Sequence, residues 1–393
     1  MAIFLKRDTK VYLEKPGTNV TVIWEIPVLD GFSFSQGNTT SETVLNEMAD
    51  SSGNSNRGRR LFNDALAPAD WSISTYVRPF ISGGGAGTGD ADDAGNHHAI
   101  EEALWANFIG TGLPGEATGP AYDYTMANVT ADTTDSNFSF AGSNLAELGT
   151  FNLYFVMGAT GATGPNYTAS STLEIYKITS CVVNEATINF DVDGIAMIDW
   201  SGNGSSLTTV ASFNATNAIT EDIDQTDNYI RNKLTALTMT AANTTVFPGA
   251  SSNGVYNIVL TGGSITFSNN ITYLTPETLG EVNQPIGHIT GNKSVSGNMT
   301  CYVNSGTAGD SGSLFDAMTS AAALAIVTNS FDLTFILGGS GNTPRMELNL
   351  PTAHMEIPTI QSDDVIGQEI SFHGIPSTIT SNNEATLTYV GAA

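Results

Sequence analysis

Apolar side chains in this chain recur with a period of two, and that alternation limits the fold more than any single motif does. In TVIWEI, Val22, Trp24 and Ile26 alternate with Thr21, Ile23 and Glu25. GFSFSQ sets Phe32 and Phe34 against Ser33 and Ser35, and WSISTYV sets Trp71, Ile73 and Val77 against Ser72, Ser74 and Tyr76. TINFDVD alternates Ile188, Phe190 and Val192 with Asn189, Asp191 and Asp193. Such spacing builds strands with one buried and one wet face, as antiparallel sheets require. Helical spacing is confined to HHAIEEALWANF (97–108) and SLFDAMTSAAALA (313–325).

The alternating segments also come in a repeated order. FNLYFVMG (151–158) returns as FDLTFILG (331–338), with Phe, Leu, Phe and Gly in the same places. Before the first lie VIWEIPVLDGFSFSQ, a long loop, WSISTYV and a helix; before the second lie VYNIVLTGGSITFSN, a loop, SVSGNMTCYV and a helix. LEIYKI and TINFDVDGIAMIDW follow the first copy, and MELNL and DVIGQEISFHG follow the second. A repeat of this length signals domain duplication, not a solenoid. The expected fold is therefore mainly β: two tandem copies of an antiparallel two-sheet sandwich or barrel, each with one short flanking helix. The expected boundaries are 1–200, a polar linker or arm at 201–227, and 228–393.

Charge removes several function classes. Thirteen Lys and Arg face 39 Asp and Glu, a formal charge of −26, and eight of the cations precede residue 79. A conventional nucleic-acid surface needs a basic patch, which this balance opposes. No apolar run is long enough for a membrane helix, and the opening MAIFLKRDTK carries charges too early for a secretory signal. Cys181 and Cys301 have no metal-ligand spacing and read as buried free thiols.

Three local clusters invite chemistry. GGGAGTGDADDAGNHH (83–98) offers Asp90, Asp92, Asp93, His97 and His98 to a hard cation. One isolated copy of a calcium-like glycine-aspartate motif reads more simply as an acidic surface loop. GDSGS (309–313) has the look of a serine nucleophile loop around Ser311, but nothing supplies its histidine and aspartate partners. NRGRR (56–60) concentrates Arg57, Arg59 and Arg60 in an otherwise Ser- and Asn-rich loop. Its fork-shaped donors suit contacts with carboxylates on another copy of so acidic a chain.

At GFSFSQGNTTSETV, at WSISTYVRPF and over FDLTFILGG…RMELNLPTAHMEIPTIQSDDVIGQEISFHG, the sequence resembles the tail tube (major tail) proteins of long-tailed bacteriophages. The resemblance implies a virion protein made in the host cytoplasm, whose folds close six to a ring and whose rings stack into a tube. Two folds per chain then imply trimers forming pseudo-hexameric rings. It also implies partners: further copies of itself, tape measure, terminator and distal tail or baseplate proteins, and double-stranded DNA in passage. No cofactor, resident metal, membrane insertion or catalysis is expected. Lumen-lining acids are expected at Glu174, Asp191, Asp193, Glu347, Asp364 and Glu369, and ring-stacking contacts at Arg57, Arg59 and Arg60. Two other readings stand beside this one. A tail fibre or receptor-binding adhesin would share the composition but lacks a stem or heptads here. A polysaccharide-degrading enzyme would need a carboxylate pair in a cleft.

Overall fold

The computed structural model describes residues 3–391 apart from 17–20, 30, 45–50, 53–58, 82–96, 110–135, 140–147, 160–164, 217, 219–227, 280–281, 328, 342–343, 363, 380 and 382. Among the described residues the chain opens with β1 (Thr9–Lys15), β2 (Val22–Ile26), β3 (Ser33–Val44) and β4 (Arg59–Tyr76). Short strands β5 (Pro79–Ile81) and β6 (His97–Ala99) lead to helix α1 (Glu102–Ile109). Then come β7 (Ser136–Ser139), β8 (Phe151–Met157), β9 (Asn166–Thr168) and the long β10 (Glu174–Asp191). β11 (Met197–Gly204), β12 (Ser206–Thr209) and β13 (Ser212–Asn214) follow. The second part has β14 (Ala236–Ala241), β15 (Val255–Ile258), β16 (Leu260–Ser268), β17 (Thr272–Leu274), β18 (Gly287–Ile289) and β19 (Ser294–Tyr302). Helices α2 (Ser311–Met318) and α3 (Ala321–Leu324) precede β20 (Phe331–Leu337), β21 (Arg345–Met355), β22 (Thr359–Ser362), β23 (Ile366–Gly374) and β24 (Thr386–Val390).

Every ladder between these strands is antiparallel. In the first part, β2, β1, β8, the first half of β10 and β12 lie side by side. The second half of β10 pairs with β11, which continues through β4 to β3. One strand can serve both sheets because β10 bends: its pairing with β8 slips between Ile178 and Cys181, and Ser180 has φ 51°. In the second part, β15, β14, β20, β21 and β24 adjoin in that order, and β24 also pairs with β7. β22, β23, β19 and β16 form the companion sheet, which β21 touches at Ala353–Met355. Here the bend is a break, Glu356–Pro358, where proline brings no backbone N–H to a ladder.

The two parts are one body because β10 also pairs with β16, from Glu185 opposite Ser268 to Asp191 opposite Gly262. The result is a sheet of eight strands in the order β3–β4–β11–β10–β16–β19–β23–β22. The larger network is barrel-like, yet β3 and β22 are each paired on one side only among the described residues. Beneath this sheet one apolar cluster runs through both parts, with Trp24, Trp71, Trp105 and Trp200 at 2% exposure or less.

Several expectations need correction. The stretch at 97–108 begins as β6, and its helix covers Glu102–Ile109, buried along its whole length, so it is a core helix and not a flanking one. Its sequence EALWANFI is mostly apolar, as suits a surrounded helix, and its buried Glu102 and Asn107 bond to the Ala99 N–H and the Ala103 carbonyl. The stretch at 313–325 breaks into α2 and α3, because Ser320 accepts from the Ala323 N–H and caps a new start. The long loop expected after GFSFSQ is largely a hairpin arm in which Asn38–Val44 pair with Arg59–Leu66. It shows no apolar alternation because side chains on both faces meet solvent. The polar stretch from Ser201, expected to be a linker, first completes β11 and then forms β12 and β13. Its glycines are packing residues: a Cβ on Gly202 would stand 2.0 Å from the Val182 carbonyl and 2.5 Å from the Trp71 ring.

Trp105 anchors the junction between the parts. It meets Trp200 and Phe267 edge to face at centroid distances of 4.8 and 5.5 Å. Its indole N–H donates to the Tyr389 hydroxyl at 2.8 Å, which in turn donates to Glu101 Oε1 at 2.8 Å. Burial pushes the Glu101 carboxyl up from an ordinary 4.5 to about 7, against the opposing pull of the Tyr389 hydrogen bond. Trp105→Ala is expected to cost about 3–5 kcal/mol, read as a lowered denaturation midpoint. Because the folded state holds the Glu101 proton more tightly than the unfolded state, stability should fall as pH rises from about 4.5 to about 7 and level off above. Glu101→Gln should remove that decline, raising the melting temperature at pH 8 and leaving it nearly unchanged at pH 4.

Candidate functional site

The surface that the fold organises most deliberately is the polar face of the eight-stranded sheet. Strand alternation sends Phe34, Trp71, Ile73, Ile188, Ile198, Trp200, Ile265, Phe267, Met299, Ile370 and Phe372 to the core side. The residues between them, Ser, Thr, Asn, Gln, Asp and Glu for the most part, share the other side and bond across the strands. Ser33 contacts Ser72 at 2.8 Å, and Ser74 donates to Asp199 at 2.5 Å. Asn189 donates to the other Asp199 oxygen at 2.7 Å, and Asn203 donates to Asp70 at 2.6 Å. Thr187 meets Thr266 at 3.0 Å. Ser264 donates to Asn298 at 2.9 Å, and Asn298 and Gln361 each donate to Glu369 at 2.9 Å. Apart from the hairpin arm and the first half of β10, these eight strands contain no Lys or Arg. Carboxylates here are held by neutral donors, so their charge is oriented without being cancelled.

The six acids expected to line a lumen fall in different places. Glu369 lies on this polar face, and Asp191 lies at its end, accepting the Gly194 N–H at 2.5 Å. Glu174 opens the first half of β10 opposite Met157, in the other sheet. Glu347 sits opposite Ile336 and Thr388 and is paired with Arg345 at 2.6 Å. Asp193 is in the turn after β10, 4.0 Å from the Lys233 ammonium, and Asp364 is in the exposed turn after β22. The polar face also holds Asp70, Glu185 and Asp199, which the expectation omitted. Their signal was present, since Asp199 stands between Ile198 and Trp200 in an alternating run.

Of the basic knot, Arg57 lies outside the described residues. Arg59 and Arg60 open β4 at the far end of the arm, opposite Val44 and Thr43. Arg59 is 3.6 Å from Glu42, and both remain well exposed. Beside them Leu61 and Phe62 expose 59% and 49% of their surface, an unusual apolar pair for an isolated hairpin. Lower down, the arm is braced by backbone bonds between Leu66 and Asn283 and between Asn283 and Asp64.

Asp90, Asp92 and Asp93 lie outside the described residues, whereas His97 accepts the Gly391 N–H at 2.6 Å. No group of three or more metal-binding side chains occurs among the described residues. Ser311 donates to the Tyr302 carbonyl at 2.7 Å and accepts from the Asn304 N–H at 2.8 Å, which occupies its hydroxyl with backbone. Asp310 caps α2 through the Ser313 N–H. Burial alone would push its carboxyl up, but hydrogen bonds from Ser313, Thr307 and Gly306 outweigh it and hold the group below its ordinary value. Cys181 and Cys301 are buried and free, and no described helix is long and apolar enough to cross a membrane.

An antiparallel sheet protein with a broad acidic, hydroxyl-rich face and open strand edges has the make-up of a structural component. No model of a known protein family matches the sequence. The sequence is, however, similar to Tail tube protein pb6 of Escherichia phage T5, with 30% identity over 397 aligned positions covering 98% of this chain and 76% of that protein. The chain belongs to the bacteriophage tail tube proteins, structural proteins of the virion tail.

Asp310→Ala should cost about 1 kcal/mol of stability through the lost cap, measured by chemical denaturation at neutral pH. The wild-type chain should lose the same contribution as pH falls below about 4, where the depressed carboxyl takes up its proton.

Proposed function

We propose that each chain carries two copies of one tube fold, that three chains close into a pseudo-hexameric ring, and that rings stack into a hollow tube. One observation carries this reading: four strands from each part share a single sheet. Support for the duplication comes from pairing order. The ladders β2–β1–β8–β10, β10–β12, β10–β11, β11–β4 and β4–β3 are matched by β15–β14–β20–β21, β21–β24, β21–β23, β23–β19 and β19–β16. The matched strands follow one another in the same chain order, with α1 and α2 at the same step. Three eight-stranded sheets give 24 strands. At ~4.8 Å spacing and a tilt of ~40°, these enclose a backbone diameter of about 48 Å. Side chains reduce the bore to roughly 38 Å, wider than a ~20 Å duplex.

The polar face is the lumen in this reading. Asp199 held by Asn189 and Glu369 held by Gln361 are matched pairs, so three chains would bring six amide-held carboxylates to one level. Duplex DNA carries a negative charge every ~1.7 Å of axis, and a basic wall would bind it by counterion release. A wall of hydroxyls, amides and carboxylates repels it and keeps water between, so a genome slides into the host. The exposed arm, with Arg59, Arg60, Leu61 and Phe62, and Arg57 beside them in sequence, contacts the neighbouring ring. Made in the host cytoplasm, the chain then meets tape measure, terminator and distal tail or baseplate proteins.

Electron microscopy of the purified chain should reveal rings or hollow filaments, whereas isolated knobbed trimers would favour a fibre. Replacing Arg57, Arg59 and Arg60 together with Ala should shorten filaments while rings persist; normal filament lengths would remove the arm from stacking. Tubes of Asp199→Lys/Glu369→Lys chains should retain short duplex DNA on sedimentation at low salt, and wild-type tubes should not.

A further inference from the structure

The sheet edges left open by a single chain specify the seam between chains residue by residue. Matching starts from the repeat itself, FNLYFVM on β8 and FDLTFIL on β20. Met157 faces Glu174 and Leu337 faces Met346, which matches Glu174 with Met346. Stepping along the strands matches Thr187, opposite Asp199, with Thr359, opposite Glu369. Asp199 faces Ser74 and Glu369 faces Thr300, so those two match, and two residues earlier Ser72 matches Asn298. Ser72 faces Ser33 and Asn298 faces Ser264, which matches the open strand β3 with the internal strand β16. Side chains corroborate two of these steps: Asn189 holds Asp199 as Gln361 holds Glu369, and Ser33 touches Ser72 as Ser264 touches Asn298.

Inside the chain, β10 and β16 meet with Asn189 opposite Ser264 and Ile188 opposite Ile265, both isoleucines at 0% exposure. The matched positions at the outer edges lie uncovered. All four residues of β22 are exposed, Ile360 by 43%, and Phe34 is only partly buried. From this, and resting on the ring reading above, we propose that β22 of one chain adds antiparallel to β3 of the next in the register that β10 and β16 use internally. Gln361 then stands opposite Ser33, Ile360 opposite Phe34 and Thr359 opposite Ser35 of a second copy of this chain. The contact would satisfy both rows of unpaired backbone groups, which an exposed sheet edge otherwise offers to any strand. It would also extend the internal apolar row, Ile188 against Ile265, across the boundary as Ile360 against Phe34.

Cysteine cross-linking of the full chain tests the register. Ser33 and Gln361 both lie on the polar face, so the double variant S33C/Q361C leaves the core intact, and the native thiols are buried. Mild oxidation of assembled S33C/Q361C should yield disulfide-linked dimers and closed trimers on non-reducing gels, with the 33–361 peptide found by mass spectrometry. The control S35C/Q361C places its cysteines on a diagonal of about 7–8 Å, outside disulfide reach, and should stay largely monomeric. Equal or stronger linkage in the control, or no linkage in S33C/Q361C rings that are visible by microscopy, overturns the register and leaves the ring standing. Absence of rings or tubes from the wild-type chain overturns both.

Discussion

The backbone ladder between β10 and β16 is the constraint on which the rest of this structure depends. Its seven register pairs, Glu185–Asp191 against Ser268–Gly262, turn two groups of strands into one sheet. Without it, the C-terminal half of β10 and the outer side of β16 would each present unpaired amides and carbonyls. Those groups must find partners or water. The ladder also aligns the polar rows of both parts on one face, so charge placement follows from hydrogen-bond geometry.

That face is built to remain negative without flying apart. Asp199, Asp70 and Glu369 each accept from an asparagine or glutamine amide, and Asp199 also from Ser74. Neutral donors orient a carboxylate as well as a lysine would, yet they leave its field intact. In the proposed tube, a lysine on this face would attract phosphate. Cations sit elsewhere, as in the exposed Arg59 of the arm and the Lys10–Glu25 pair at 2.8 Å.

Legibility in the sequence tracked burial. Strands with one dry face, such as Phe331–Leu337 and Ile366–Gly374, announce themselves by alternation. β1 (TKVYLEK) runs Val11, Tyr12 and Leu13 together between charges and β14 (ALTMTA) is short, so neither stands out although they pair with β8 and β20. A hairpin wet on both faces has no apolar period, so the arm looks like a loop in sequence. The end of β11 looks like a linker or an arm because glycines packed beneath Trp71 resemble, in a string of letters, glycines that bend freely. Glu369 falls on the polar face because its strand alternates cleanly, whereas Glu174 and Glu347 share the same spacing but belong to the other sheet.

The amino-acid sequence by itself determined the class of element, the repeat of FNLYFVMG as FDLTFILG and the excess of acid. These are properties of neighbouring residues, and side-chain period and charge express them directly. Only the tertiary structure decided that β10 bends to serve two sheets, that α1 is buried, and which acids share one face. Those outcomes rest on contacts between residues far apart in the chain, such as Trp105 with Tyr389, 284 positions away. Period two records that a side chain is dry or wet; it carries no record of which strand lies alongside.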